Sequence, residues 1–200
     1  RKAVVLAYLG DGATSKGDFH EAMNFAGVFR LPVVFICQNN QWAISVPVEK
    51  QTASKTLAQK AIGYGFSGIR VDGNDVFAVY KATLDAVNKA RASGGPAFIE
   101  CLTYRVGDHT TADDASRYRS AKEVEAWRKR DPITRLQKFM AHKKLWNKKY
   151  EDKLQADIKK KIDAAVKKAE FIEPQSAESI FKNVYSKLDW NLKEQMENLK

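Results

Sequence analysis

Apolar residues fall into short unbroken blocks in the first half of this chain and into helical spacings in the second. Val4-Val5-Leu6-Ala7-Tyr8-Leu9 is continuous, which predicts a strand buried on both faces with neighbours on both sides. Val33-Val34-Phe35-Ile36-Cys37 predicts a second such strand and Ala97-Phe98-Ile99-Glu100-Cys101-Leu102 another. Gly68-Ile69-Arg70-Val71-Asp72-Gly73 predicts a shorter strand that ends in a turn. Between the blocks, Phe19, Ala22, Met23 and Ala26 recur at three and four, the spacing of a helix on a sheet, with Asp18 near its start and Leu31-Pro32 as its stop. Asp75 to Ala92 predicts a helix carrying Val76, Val79, Tyr80, Thr83 and Val87 on one side, broken by Gly94-Gly95-Pro96. Strands separated by helices imply an α/β fold, a parallel sheet with helices on both faces.

From Thr103 to Ser120 the pattern dissolves into Gly, Asp, Thr, Ser and Arg, a long polar loop of the kind that is functional or disordered. Helical patterns follow over 121–130, 132–143, 150–169 and 175–187, and Asp131-Pro132 puts a proline at a helix start. The expected organisation is an α/β domain over 1–145 and a C-terminal helical extension over 146–200. The opening Arg1-Lys2, leading straight into an apolar block, reads as the middle of a protein whose N-terminal part lies upstream.

Composition narrows the function classes. With 44% hydrophobic and 29% charged residues the chain is of ordinary globular type, and no apolar run approaches a membrane span. Two cysteines without metal-type spacing read as reduced core residues of a cytoplasmic protein. The net charge is +10. Residues 1–100 hold 11 Lys+Arg against 8 Asp+Glu, leaving +3, and residues 101–200 hold 23 against 16, leaving +7. That excess raises a nucleic-acid-binding module as an alternative. The bases interleave with acids along helical stretches, however, as solvated helix faces do, and no zinc spacing, basic zipper or aromatic RNA-binding motif accompanies them.

Ligands of open parallel sheets bind beyond the carboxyl ends of the strands. Three polar segments fall there: Gly10-Asp11-Gly12, Gln38-Asn39-Asn40-Gln41-Trp42, and Thr103 to Ser120. Asp-Gly alone is a common turn dipeptide. A dinucleotide fingerprint fails because position 15 is Ser15, and a P-loop fails because Asp18 stands where the phosphate-binding lysine belongs. A phosphate site built around Asp11 therefore needs a metal between the negative charges. Asp11 and Asn40 both offer hard oxygens, which suit Mg²⁺ with its few protein ligands, phosphates and water.

Gly-Asp-Gly, a helix, and an apolar strand ending in Asn-Asn is the signature of thiamine-diphosphate enzymes, and Asp11 and Asn40 stand 29 positions apart, as that motif requires. From Tyr8 through Ser45, and on through Gly68 to Asp75, Tyr104 to His109, Tyr118-Arg119-Ser120 and Asn191 to Gln195, the chain resembles the alpha subunits of thiamine-diphosphate 2-oxoacid dehydrogenases. The run from Ala43 to Thr52 is most similar to bacterial pyruvate dehydrogenase alpha subunits.

The resemblance implies the thiamine-diphosphate-binding fold, with Mg²⁺ held by Asp11, Asn40 and the backbone carbonyl of Trp42, a position where the family usually has Tyr or Phe. It implies backbone contacts from Gly12 and Ala13 to the diphosphate, contact of Ile44 with the cofactor's rings, and a catalytic, diphosphate-reaching role for His109. Asp108 departs from the family's usual Pro or His and implies a carboxylate beside that histidine. The other histidines, His20 and His142, read as structural or surface groups. Thr110 and Ser120 match loop positions modified by kinases in mitochondrial relatives, a regulation not carried over here.

The implied activity is oxidative decarboxylation of pyruvate with reductive acetylation of the lipoyl group of dihydrolipoyl acetyltransferase, in a bacterial cytoplasm, without nucleic acid or membrane. The implied partner is a beta subunit in an α₂β₂ heterotetramer, which supplies the carboxylate that activates the cofactor and without which the chain is inactive. Branched-chain 2-oxoacid and acetoin dehydrogenases share the same motifs.

Overall fold

The computed structural model describes residues 3–199, and the chain divides into two compact units, Arg1–Leu145 and Trp146–Lys200. In the first unit, β1 (Val5–Gly10), β2 (Val33–Asn39), β5 (Gly68–Asp72) and β6 (Ala97–Leu102) form one parallel sheet in the order β1-β2-β6-β5. Parallel neighbours need crossover connections, here α1 (Gly17–Val28) between β1 and β2 and α2 (Val76–Arg91) between β5 and β6. A two-residue antiparallel pair, β3 (Trp42–Ala43) with β4 (Val46–Pro47), follows β2 directly.

The strand period of two sorts the core into two layers. Phe35, Cys37 and Phe98 face α1, through Phe19, Met23 and Ala26, and a 3₁₀ helix at Leu57–Tyr64, through Leu57, Ala58 and Ala61. Val34, Ile36, Ala97, Ile99 and Cys101 face Ala82, Ala86 and Ala90 of α2. Helices thus cover both faces. Cys37 and Cys101 are free, buried and in opposite layers, which keeps their thiols from pairing. His20 is bonded to the Tyr64 hydroxyl, a structural role, and His142 is exposed.

Two expectations need correction. β1 is an edge strand, with Val5 60% and Tyr8 65% exposed, because only β2 pairs with it among the described residues. Its apolar block reports what a strand can bury, not what this chain lays against it. On α2, Val76 and Tyr80 face outward, and the sheet is met by Ala82, Ala86 and Ala90, with Val79 and Val87 beside them. Alanine carries little weight in a hydrophobic pattern, but its small side chain lets the helix sit close on the strands. The 3₁₀ helix at Leu57–Tyr64 was not anticipated. Thr56 and Gln59 cap it reciprocally, and a Cβ on Gly27 of α1 would lie 2.1 Å from the Tyr64 carbonyl, so the two helices meet backbone to backbone.

After the long loop come α3 (Ala121–Arg128) and α4 (Pro132–His142). Asp131 caps α4 through Thr134 N–H at 2.8 Å, with Pro132 in its first turn. Arg135 ties α4 to the turn after β5, reaching Asp72 at 2.6 Å and Asp75 at 2.8 Å. Partial burial opposes ionisation of Asp72, but the Arg135 and Asn74 hydrogen bonds win and hold its carboxyl below the usual value.

The second unit holds α5 (Lys148–Glu170), α6 (Ser179–Lys182) and α7 (Trp190–Glu197). The helix expected over 175–187 is realised only as α6, since Asn183, Val184, Tyr185 and Ser186 are poor helix formers, and α7 was not anticipated. Pairs such as Lys159–Asp163 at 2.9 Å lie on exposed faces of α5, as expected for the basic second half. Among the described residues, no helix is long and apolar enough to cross a membrane.

Core truncation separates the two layers from the surface. Phe98→Ala should cost about 3–5 kcal/mol, whereas Tyr80→Ala should change stability by no more than about 0.5 kcal/mol. Urea unfolding reads both, and equal losses would contradict the assigned face of α2.

Candidate cofactor site

Residue Gly10 pairs with Gln38 across β1 and β2, so Asp11 and Asn39-Asn40 leave the sheet at adjacent carboxyl ends. Neighbouring strands lie about 4.8 Å apart, which puts the two segments within reach of one small ligand. Asp11 opens a 3₁₀ turn, Asp11–Ser15, and is only 2% exposed. Its Oδ2 accepts one hydrogen bond from Gln51 Nε2 at 3.1 Å. No ion pair with a cationic side chain satisfies it among the described residues. A buried carboxylate with one neutral donor is electrostatically underfilled.

Asn39 turns inward and Asn40 does not. The Asn39 amide donates to Glu100 Oε1 at 2.8 Å and its Oδ1 accepts from Gln41 N–H at 3.0 Å. Asn40 Oδ1 accepts from Trp42 N–H at 3.1 Å. Gln41 at φ 72° and Ile44 at φ 55° then swing the backbone through the β3–β4 pair. A β-branched residue in the left-handed region costs on the order of 1–2 kcal/mol, so the Ile44 conformation is held by its surroundings. Gly12 explains part of the closeness: a Cβ there would lie 2.8 Å from Ala43 Cβ, so the Asp11 turn packs directly on β3.

Arg105 joins the hairpin to the long loop. Its guanidinium donates to the Trp42 carbonyl at 3.3 Å, the Ile44 carbonyl at 2.7 Å and the Tyr118 hydroxyl at 2.7 Å. The Tyr118 hydroxyl donates to Asp113 Oδ2 at 2.5 Å, and the same oxygen accepts His109 N–H at 2.8 Å. Arg119 binds the carbonyls of Arg105, Val106 and Gly107. The polar loop is therefore an internally bonded unit, seated on Trp42 through the Tyr118 ring at 5.2 Å. The carboxylate nearest in bonding to His109 is Asp113, while Asp108 accepts Ala115 N–H at 3.1 Å.

The structure thus brings Asp11, Gly12, Asn40, Trp42 and Ile44 to one sheet edge, with Ala13 in the same turn. His109 is held by its backbone; its side chain is exposed, and no hydrogen bond joins it to Asp11 or Asn40 among the described residues. The donor set fits a hard divalent cation: one buried carboxylate, one amide oxygen and one carbonyl. The Trp42 carbonyl already draws a guanidinium nitrogen, and a carbonyl keeps a second lone pair.

Residues that sequence reasoning passed over hold this edge together: Gln51, Lys60, Glu100, Arg105, Asp113 and Tyr118. Glu100 carried a visible signal, as the one acid inside an apolar strand block. It is 1% exposed and accepts from Asn39 and from Ala58 N–H at 3.0 Å. Cys37 lies nearby, and burial, followed by the charges of Asp11 and Glu100, pushes its thiol far above the ordinary range. It is a neutral core filler. A cavity of about 400 Å³ borders Asn39, Gln41 and Glu100, and a larger cleft of about 790 Å³ lies among Arg70, Trp127, Arg130 and Arg135; neither is lined by Asp11, Asn40 or Trp42.

The Tyr118 and His109 hydrogen bonds hold the Asp113 carboxyl below its ordinary 3.8. A lowered folded value means the tether is complete above that ordinary value and is lost as pH falls through the lowered one. Asp113→Ala should expose 107–114 to limited proteolysis several-fold faster at neutral pH, and the wild-type loop should loosen only in strong acid. Equal cleavage of both proteins would remove Asp113 from the tether.

Comparison with known proteins bears on the same residues. Residues 1–178 match the family described as Dehydrogenase E1 component. The chain is 49% identical over 199 residues to the 3-methyl-2-oxobutanoate dehydrogenase subunit alpha of Mycobacterium tuberculosis, covering 99% of this chain and 54% of that protein. It is 48% identical over 198 residues to the pyruvate dehydrogenase E1 component subunit alpha of Staphylococcus epidermidis, and 47% to that of Staphylococcus aureus, each covering 98% of this chain and 54% of the relative. The chain thus spans about half the length of the curated relatives it matches. A family match across both strand-end loops, together with the parallel sheet that presents them, leads to one conclusion: this chain belongs to the dehydrogenase E1 component family.

Proposed function

We propose that this chain carries the Mg²⁺ and diphosphate site of the alpha subunit of a thiamine-diphosphate 2-oxoacid dehydrogenase, and that the oxoacid is pyruvate. The observation that carries this reading is the buried Asp11 carboxylate, without a cationic side-chain partner among the described residues, at a strand end adjacent to the one that carries Asn40 and Trp42. Family membership and the relatives named pyruvate dehydrogenase support it.

In this reading the Asp11 carboxylate, the Asn40 side-chain oxygen and the Trp42 carbonyl bind Mg²⁺. The backbone of Gly12 and Ala13 meets the diphosphate, the exposed Ile44 side chain bears on the cofactor's rings, and His109 holds a proton for a diphosphate oxygen or the reaction chamber. When bound, thiamine diphosphate supplies the electron sink for decarboxylation, and protein residues supply position and electrostatics. A beta subunit completes the site in an α₂β₂ assembly, a lipoyl-bearing dihydrolipoyl acetyltransferase accepts the acetyl group, and the bacterial cytoplasm is the setting. The chain without its beta partner should show no turnover.

A second reading is favoured by the 49% identical relative, named for 3-methyl-2-oxobutanoate. The assembled enzyme, offered pyruvate, 3-methyl-2-oxobutanoate and acetoin side by side, should prefer pyruvate; preference for another substrate selects that dehydrogenase instead. Asp11→Asn and Asn40→Ala should each weaken Mg²⁺-dependent binding of thiamine diphosphate by about tenfold or more. Calorimetry on the assembled enzyme measures this, and unchanged affinity in both variants would sink the assignment.

A further inference from the structure

Lys60 belongs to the 3₁₀ helix at Leu57–Tyr64, yet its amine reaches the turn that carries Asp11. Nζ donates to the Thr14 carbonyl at 2.7 Å and to Thr14 Oγ1 at 3.1 Å. Thr14 is fully buried, and its hydroxyl donates onward to the Asp11 carbonyl at 2.8 Å. The amine lies 5.8 Å from the Phe19 ring centroid and makes no ion pair with a carboxylate among the described residues. Two consecutive links, through the Thr14 hydroxyl, thus run from one half-buried cation to the backbone of the expected metal ligand, and a third bond from the same amine holds the Thr14 carbonyl. The Asp11–Ser15 turn has no side-chain N-cap among the described residues; besides Lys60, Gln51 bonds its Asp11 and Ser15 side chains and Gly12 packs on Ala43.

We propose that Lys60 is a positioning residue: through Thr14 it holds the Asp11–Ser15 turn in the form that receives the divalent cation and the diphosphate. A charged donor on two oxygens of one buried residue is stronger than a neutral one. Its positive charge, without an ion-paired carboxylate among the described residues, also lies beside a turn expected to meet an anion. The inference rests on the function proposed above.

The test uses the assembled alpha–beta enzyme and binding of thiamine diphosphate with Mg²⁺ by calorimetry, alongside thermal melting and gel filtration. Lys60→Met should weaken that binding about tenfold while kcat at saturating cofactor stays near wild type. Lys60→Arg, which keeps the charge and the donors, should recover most of the affinity, and Thr14→Val should lose part of it. Lys60→Met with wild-type affinity, an arginine variant no better than the methionine one, or a fall in kcat at unchanged affinity would each overturn the proposal. So would a methionine variant that fails to assemble, which would make Lys60 a folding residue. Wild-type enzyme that binds no thiamine diphosphate would instead overturn the functional reading itself.

Discussion

The constraint on which the site depends is the burial of one carboxylate. Asp11 is 2% exposed at the end of an edge strand, with, among the described residues, a single side-chain donor, the Gln51 amide, on one oxygen. Neutral hydrogen bonds at that density do not replace the water a carboxylate gives up. The sheet, the 3₁₀ turn and the hairpin hold the residue in this position. In the proposed reading a hard divalent ion would relieve the buried charge, with the oxygens of Asn40 and Trp42 as further ligands of the same chemical type.

The frame around that carboxylate is built in layers of decreasing generality. Parallel pairing of β1, β2 and β6 fixes which strand ends are adjacent. Glu100, deep in β6, then fixes the path of the chain leaving β2 by holding the Asn39 side chain and the start of the Leu57–Tyr64 helix at once. Gly12 lets the turn and the hairpin approach to a distance that any side chain would forbid. Arg105 finally binds the hairpin carbonyls to the long loop, so the ordering of that loop and the geometry at Trp42 are coupled through one guanidinium.

Much of the fold was legible because sheet strands and their covering helices announce themselves by period. Ala97–Leu102 and Val33–Cys37 were read almost as they stand, and the Asp75 and Asp131 caps mark their helices. The misreadings share a cause: local pattern does not encode what lies opposite. β1 looked doubly buried because six apolar residues can be, and Val76 and Tyr80 looked inward because size was taken for burial. The Leu57–Tyr64 helix escaped because its burial depends on Gly27 and Glu100, neither adjacent in sequence.

The site divides in the same way, and the division has a physical reason. Its expected ligands sit in short strand-end motifs, where chemistry restricts the residue type and the helix between strands fixes the spacing. Its supports come from far along the chain: Gln51 bonds Asp11 across 40 positions, Lys60 bonds Thr14 across 46, Glu100 bonds Asn39 across 61 and Arg105 bonds Trp42 across 63. A lysine, a glutamine or an arginine in a loop or a short helix has many uses, and only the folded chain shows which oxygen it reaches. The proposed ligands are thus named by motif and spacing, whereas the groups that hold those residues still become visible only with tertiary contacts. The second set decides how well the first works, since an oxygen displaced by even a fraction of its coordination distance binds a rigidly octahedral ion poorly.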